Sequence, residues 1–302
     1  MDFLSWLLEG DVSLQYLTHR DFLHSDARTL ENLQQRISKE GFGARFLTCR
    51  TESGHWGIHY YQPKWTCTHY TLLDLKSLGI EPDEPACKEM VSRTFRECQR
   101  PDGSLDLSKS DLPSDIAING MVLEYGVYFD PHQSGIPPLI DWLLSAQRED
   151  GSYVQPGTSA DATQHVTMCV LDGFGEYLRQ GLTHRFDEVL AAERRMLDYF
   201  LRNRLFVDHD DRRYRRLTYP FRYRYDLLRI LDYCAKREIA YDERMHGALS
   251  WLIRKWRDDG TWTLEYSHPG NVHFAMETVG QPSRFVSLKA ERIRSFYAVR
   301  LA

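Results

Sequence analysis

The sequence predicts an all-α fold, an α/α toroid of about five helical hairpins behind an N-terminal helix, and three observations lead there. First, three short segments are near-copies: Arg100-Pro101-Asp102-Gly103-Ser104-Leu105, Arg148-Glu149-Asp150-Gly151-Ser152-Tyr153 and Arg257-Asp258-Asp259-Gly260-Thr261-Trp262. A weaker copy, Glu52-Ser53-Gly54-His55-Trp56-Gly57, precedes them. Second, the turn glycines step by 49 residues (54 to 103), 48 (103 to 151) and 109 (151 to 260), the last leaving room for one divergent unit. Self-similarity at a period of this size means stacked supersecondary units. Third, each turn follows a helix-like run and precedes a short extended stretch and a second helix-like run. Open solenoids of helix pairs repeat every ~33–47 residues with short, uniform loops. Linkers of roughly a dozen residues after each turn suit closure into a ring of inner and outer helices better.

The elements follow in order. A leading helical segment, about 2–23, occupies residues 1–24 of a single domain spanning 1–302. The first repeat, about 25–80, opens on Ser25-Asp26-Ala27-Arg28-Thr29-Leu30 as an N-cap segment, carries Leu30, Leu33 and Ile37 at helical spacing, and breaks at Gly41. Its second helix covers Pro63–Leu75 and stops at Gly79. The repeat at about 81–130 pairs Glu84–Cys98 with Ser114–Tyr128, and that at 131–181 pairs Ile136–Gln147 with Asp161–Leu178. The repeat at 182–238 pairs Phe186–Leu205 with Tyr223–Ala235, and that at 239–302 pairs Asp242–Trp256 with Ser283–Phe296.

Composition fits a soluble protein with a sizeable core: 42% hydrophobic and 27% charged. A net charge of −5 leaves no overall footprint for nucleic acid. The six cysteines are scattered without a CxxC pair, the N-terminal apolar run is too short for a signal peptide, and no stretch approaches a membrane span. The expected compartment is therefore the cytoplasm, with reduced thiols.

At the repeated turns the chain resembles the prenyltransferase and squalene–hopene cyclase superfamily. The carriers are Gln99-Arg100-Pro101-Asp102-Gly103-Ser104 and Gln147-Arg148-Glu149-Asp150-Gly151-Ser152-Tyr153, which resemble that family's QW motif with the tryptophan replaced, together with Trp56 and Trp262. Tyr61-Gln62-Pro63-Lys64-Trp65-Thr66, Tyr219-Pro220-Phe221-Arg222-Tyr223-Arg224-Tyr225-Asp226 and Gly280-Gln281-Pro282-Ser283-Arg284 look like segments of a small single-ring subgroup of terpenoid cyclase-like and prenyltransferase-like proteins. The resemblance spans about residues 30 to 296. It implies a cyclase- or prenyltransferase-like enzyme acting on an isoprenoid or related small molecule in a central cavity. Two alternatives stand beside it, a non-catalytic small-molecule-binding toroid and a carbohydrate-active toroid using paired carboxylates and stacking aromatics.

The resemblance places the family's acid at the start of an inner helix, about ten residues beyond a turn. In this chain that register holds Asp161 and Asp115, the two candidate catalytic residues. A lone aspartate there also caps its helix, which lowers its pKa, the wrong direction for protonating an alkene. The literal DxDD match, Asp208-His209-Asp210-Asp211, falls where other units place an exposed turn, and Arg212, Arg213, Arg215 and Arg216 follow it, so a solvated charge cluster is expected. Asp161, His165 and Cys169 share a helix face, but their ends lie about 12 Å apart and cannot hold one tetrahedral zinc. Neither metal nor cofactor is expected. Candidate ligand contacts are Trp65, His69, Tyr70, His165, Tyr225, Asp226, His273 and Arg284, from extended stretches and inner-helix starts, where aromatic faces stabilise cations, stack on flat ligands or simply pack.

Overall fold

The structure is a computed structural model, described here over residues 2–108, 112–157 and 162–298. Among these residues the fold is all-α, with isolated β-bridges and no strand. The leading segment divides into α1 (Phe3–Leu8), α2 (Val12–Thr18) and a π-helical turn (His19–Leu23). The division follows from two caps: Asp2 accepts from Ser5 N and Asp11 from Ser13 N, so a new helix starts after Gly10. Next come α3 (Ala27–Ile37), capped by Asp26, and α4 (Gly41–Thr48), a helix that the sequence reading did not contain. Helix α5 (Thr68–Leu78) begins five residues later than expected, because Trp65 sits at φ 72° and a left-handed residue cannot propagate a helix.

The remaining helices are α6 (Pro85–Cys98), α7 (Ile116–Phe129), α8 (Ile136–Ser145), α9 (Thr163–Arg179), α10 (Phe186–Arg202), α11 (Leu227–Lys236), α12 (His246–Ile253) and α13 (Arg284–Tyr297). A 3-10 turn, Glu243–Met245, precedes α12, and another, Arg204–Phe206, follows α10. The expected helices matched these within a few residues; α11 starts later than Tyr223 because Asp226 caps it.

The four repeated turns share one hydrogen-bond pattern. The first residue donates its N–H to the carbonyl four positions on, and the glycine donates back to that first residue. Distances are 2.8 and 2.9 Å for Thr51–His55 and Gly54–Thr51, 2.7 and 3.0 Å for Arg100–Ser104 and Gly103–Arg100. For Arg148–Ser152 and Gly151–Arg148 they are 3.0 and 3.0 Å, and for Arg257–Thr261 and Gly260–Arg257 they are 3.0 and 2.9 Å. In three copies the aspartate at the third position accepts from the backbone and hydroxyl of the Ser or Thr two residues later: Asp102 from Ser104, Asp150 from Ser152, Asp259 from Thr261. These are Asx-turns, which is why the repeat spells Asp-Gly-Ser/Thr.

The residue after each turn is buried: Trp56, Leu105, Tyr153 and Trp262 are at most 1% exposed. Its backbone is held by one polar side chain of the following helix. Trp56 N donates to Thr68 Oγ1 (3.2 Å), Leu105 N to Asn119 Oδ1 (2.7 Å), Tyr153 N to Thr167 Oγ1 (3.0 Å) and Trp262 N to Ser287 Oγ (2.8 Å). The same four side chains donate back to the four carbonyls. A buried extended backbone must find partners, and this reciprocal clamp supplies both. Gln99 and Gln147 complete the turns: each side-chain amide donates to the turn-glycine carbonyl and to a carbonyl of the next helical segment, Gly135 or Ala192.

The chain packs as two compact units. One comprises Cys49–Lys76 and Pro82–Tyr199, the other Met1–Thr48, Ser77–Glu81 and Phe200–Ala302. In the first, α7 is apolar nearly all round and buried. It packs directly on α9, where Gly120 and Gly173 let the backbones meet: a Cβ on Gly173 would lie 2.4 Å from the Gly120 carbonyl oxygen. In the second, every residue of α11 from Leu227 to Ala235 is buried, and α13 packs against it. No helix among the described residues is long and apolar enough to cross a membrane.

Candidate functional site

In the first unit, Tyr61 and Trp65 from the stretch before α5, His69 and Tyr70 from its first turn, and Tyr125 of α7 come together. The His69 ring lies 4.8 Å from Tyr70, 5.5 Å from Tyr61 and 5.6 Å from Tyr125, and Trp65 packs edge-on to Tyr70 at 4.8 Å. Trp65, His69 and Tyr70 are at most 5% exposed. The Tyr61 and Tyr70 hydroxyls share a hydrogen bond at 3.2 Å, and burial pushes both phenols well above their ordinary range. The Asp115 charge adds to that rise at Tyr61, so Asp115 lies within electrostatic reach of the cluster. Asp115 itself caps α7, its Oδ1 accepting from Ile118 N at 3.0 Å. His165 is half-buried on α9, and Asp161 lies outside the described residues.

In the second unit, Tyr225 and Asp226 adjoin at the start of α11, and the other two candidates are committed elsewhere. Tyr225 donates to the Leu205 carbonyl at 2.6 Å and stacks on Phe200 with ring centroids 5.2 Å apart, so its face is occupied by packing. His273 meets Phe46 edge-on at 5.7 Å. Arg284 donates to the Trp6 carbonyl at 2.9 Å and lays its guanidinium over the Trp6 ring. The backbone N–H of Arg284 is held in turn by Glu277, whose carboxyl burial pushes up. The Asp208–Asp211 tetrad is a surface feature: Asp208 is exposed and pairs with Arg204, and Asp211 caps a 3-10 turn through Arg213 N.

Asp226 is the unusual group. Its Oδ1 accepts from Arg229 N at 2.9 Å, an ordinary cap, yet the residue is 4% exposed. Desolvation raises its carboxyl to about 7, outweighing the amide bonds and the Arg229 and Lys289 charges that favour the anion. The Arg229 guanidinium donates to the carbonyls of Arg222 and Arg224 and so fixes the loop leading into α11. Six residues further along lies Asp232, 2% exposed, which accepts from Lys236 (2.8 Å), Lys289 (3.3 Å) and Arg292. Arg292 also pairs with Asp21. Three cations hold Asp232 ionised far below the usual range. Lys289, desolvated and crowded by Lys236 and Arg292, falls to about 8 despite Asp232, and its ammonium lies 4.7 Å from the centre of the Phe221 ring.

This buried array of Asp226, Lys289, Asp232 and Arg292 is what reasoning from the sequence missed. Asp232 and Lys236, four apart on a helix, carried the only local signal. The partners on α13 lie 57 and 60 residues away and have none. Among the described residues no three His, Cys, Asp or Glu side chains gather as metal ligands. Compared with known proteins, the chain matches no family model and no curated protein.

Proposed function

We propose that this chain is a cyclase- or prenyltransferase-like enzyme acting on an isoprenoid or related small molecule, with Asp226 as its proton donor. The observation that supports this reading is a buried carboxyl at the start of α11 whose pKa is raised to about 7. Protonating an alkene requires a carboxylic acid that keeps its proton until the substrate arrives, and burial is how proteins arrange it. In the proposed step the Asp226 O–H proton passes to an alkene carbon, the π pair forms the new C–H bond, and a carbocation and a carboxylate remain. The Arg229 N–H and the Lys289 charge steady that carboxylate. Loss of a proton from a neighbouring carbon to Asp226 closes the cycle. Asp226 caps α11 as Asp115 caps α7, although no repeated Asp-Gly turn precedes it.

A second reading, a non-catalytic binding protein, draws on Asp115 serving as a cap and on Arg284 being committed to Trp6. One experiment separates the two. Purified protein is incubated with squalene, farnesyl diphosphate and geranylgeranyl diphosphate, and products are followed by gas chromatography and mass spectrometry, beside Asp226→Asn. The enzyme reading expects turnover of at least one substrate and a loss of roughly 10²–10⁴-fold in the variant, the usual worth of a general acid. No turnover of any of the three overturns it in favour of binding. Equal turnover by the variant removes Asp226 as the acid.

A further inference from the structure

The second unit carries a shallow, open groove of about 840 Å³ whose charged lining is Arg212, Arg215, Arg216, Arg254, Lys255 and Glu265. Five cations thus face one carboxylate, and that carboxylate is already engaged: Glu265 pairs with Lys255, and its other oxygen accepts from Leu217 N at 2.9 Å. Arg212 and Arg254 have no carboxylate partner among the described residues. Arg215 is positioned by donating to the Val207 carbonyl at 2.6 Å, and Arg216 lies over the Tyr266 ring. The groove floor is apolar, with Trp251 and Leu264 buried and Val279 at the rim.

We infer that this groove binds the diphosphate group of a small molecule. Guanidinium groups present pairs of donors that match phosphate oxygens, and several set around one concavity favour an anion with more than one phosphate. The arginines repel one another, and a multiply charged anion relieves that repulsion. The volume suits a small organic ligand. A nucleic acid is disfavoured by the net charge of −5 on the chain. This site is independent of the reaction proposed above, and its test requires no turnover.

Calorimetric titration of the full chain with inorganic diphosphate, at low and at physiological salt, tests it. The expected result is saturable binding that weakens as salt rises. In the doubly substituted Arg216→Gln, Arg254→Gln protein, binding falls at least tenfold while the thermal midpoint is unchanged, since both side chains are exposed. Tighter binding of adenosine diphosphate, or of geranyl diphosphate, supports the site and identifies what the diphosphate is attached to. No saturable heat with inorganic diphosphate at low salt overturns the inference. So does equal affinity in the double variant, or a single-stranded oligonucleotide that binds more tightly than diphosphate.

Discussion

Capping aspartates normally sit below their ordinary pKa, because helix-terminal amides donate to the anion. Asp2 and Asp26 do so: hydrogen bonds from Ser5 and Thr29 lower them, and both are in water. Asp226 makes the same kind of cap and moves the other way, to about 7, so burial is the deciding variable. Between about pH 4 and 7 the folded chain holds a proton on Asp226 that the unfolded chain has released, so raising the pH through that window lowers stability. Asparagine keeps the acceptor for Arg229 N and cannot ionise. Asp226→Asn should therefore match the wild-type protein near pH 4 and exceed it above pH 7 by an amount approaching roughly 4 kcal/mol. Urea unfolding across that pH range measures the difference, and a gap that does not change with pH would remove the raised carboxyl. The sequence reading offered Asp226 as a candidate ligand contact at a helix start, but its raised pKa was not legible, because desolvation depends on what packs around it.

At the scale of elements, the repeated turn explains its own spelling. The aspartate closes an Asx-turn, the glycine takes a positive φ, and the next residue plugs the hairpin. The glycines differ, however, in what surrounds them. At Gly103 (φ 92°) and Gly151 (φ 86°) a Cβ would lie 2.4 Å from the Pro138 carbonyl and 2.3 Å from the Arg195 carbonyl, whereas at Gly260 (φ 81°) it would meet nothing. Gly260→Ala should then cost only the left-handed penalty of about 1–2 kcal/mol. Gly103→Ala and Gly151→Ala must also displace backbone, and a cost of roughly 3 kcal/mol or more is expected for each. Chemical denaturation of the three variants gives the ranking, and equal losses at all three would show that φ alone matters. The clamp residues Thr68, Asn119, Thr167 and Ser287 were not read from the sequence, because three different residue types at three different spacings do one job.

For the whole molecule, helical periodicity carried most of the information. The far-UV circular dichroism of the purified chain should show the helical double minimum without a β contribution, since extended segments form only isolated bridges among the described residues. A substantial β signal would contradict the fold. The turn repeats occur in both compact units, at Gly54, Gly103 and Gly151 in one and at Gly260 in the other, so a single supersecondary plan serves each. Where expectation and structure differ, a local backbone event intervenes. Trp65 at positive φ delays α5, and Asp226 capping delays α11.

Amphipathic spacing and Asp-Gly turns by themselves determined that this chain is all-α and built from hairpins, because both signals act between residues close in sequence. The aromatic pattern drew attention to Trp65, His69 and Tyr70, which lie together because a short segment carries all three. Only the tertiary structure decided which charges are buried together. Asp226 and Asp232 meet Lys289 and Arg292 because α11 packs on α13, and five cations line one groove because the 3-10 turn at Arg212–Arg215 and the end of α12 both border it. Desolvation and charge crowding are properties of a packed volume, and no reading along the chain contains them.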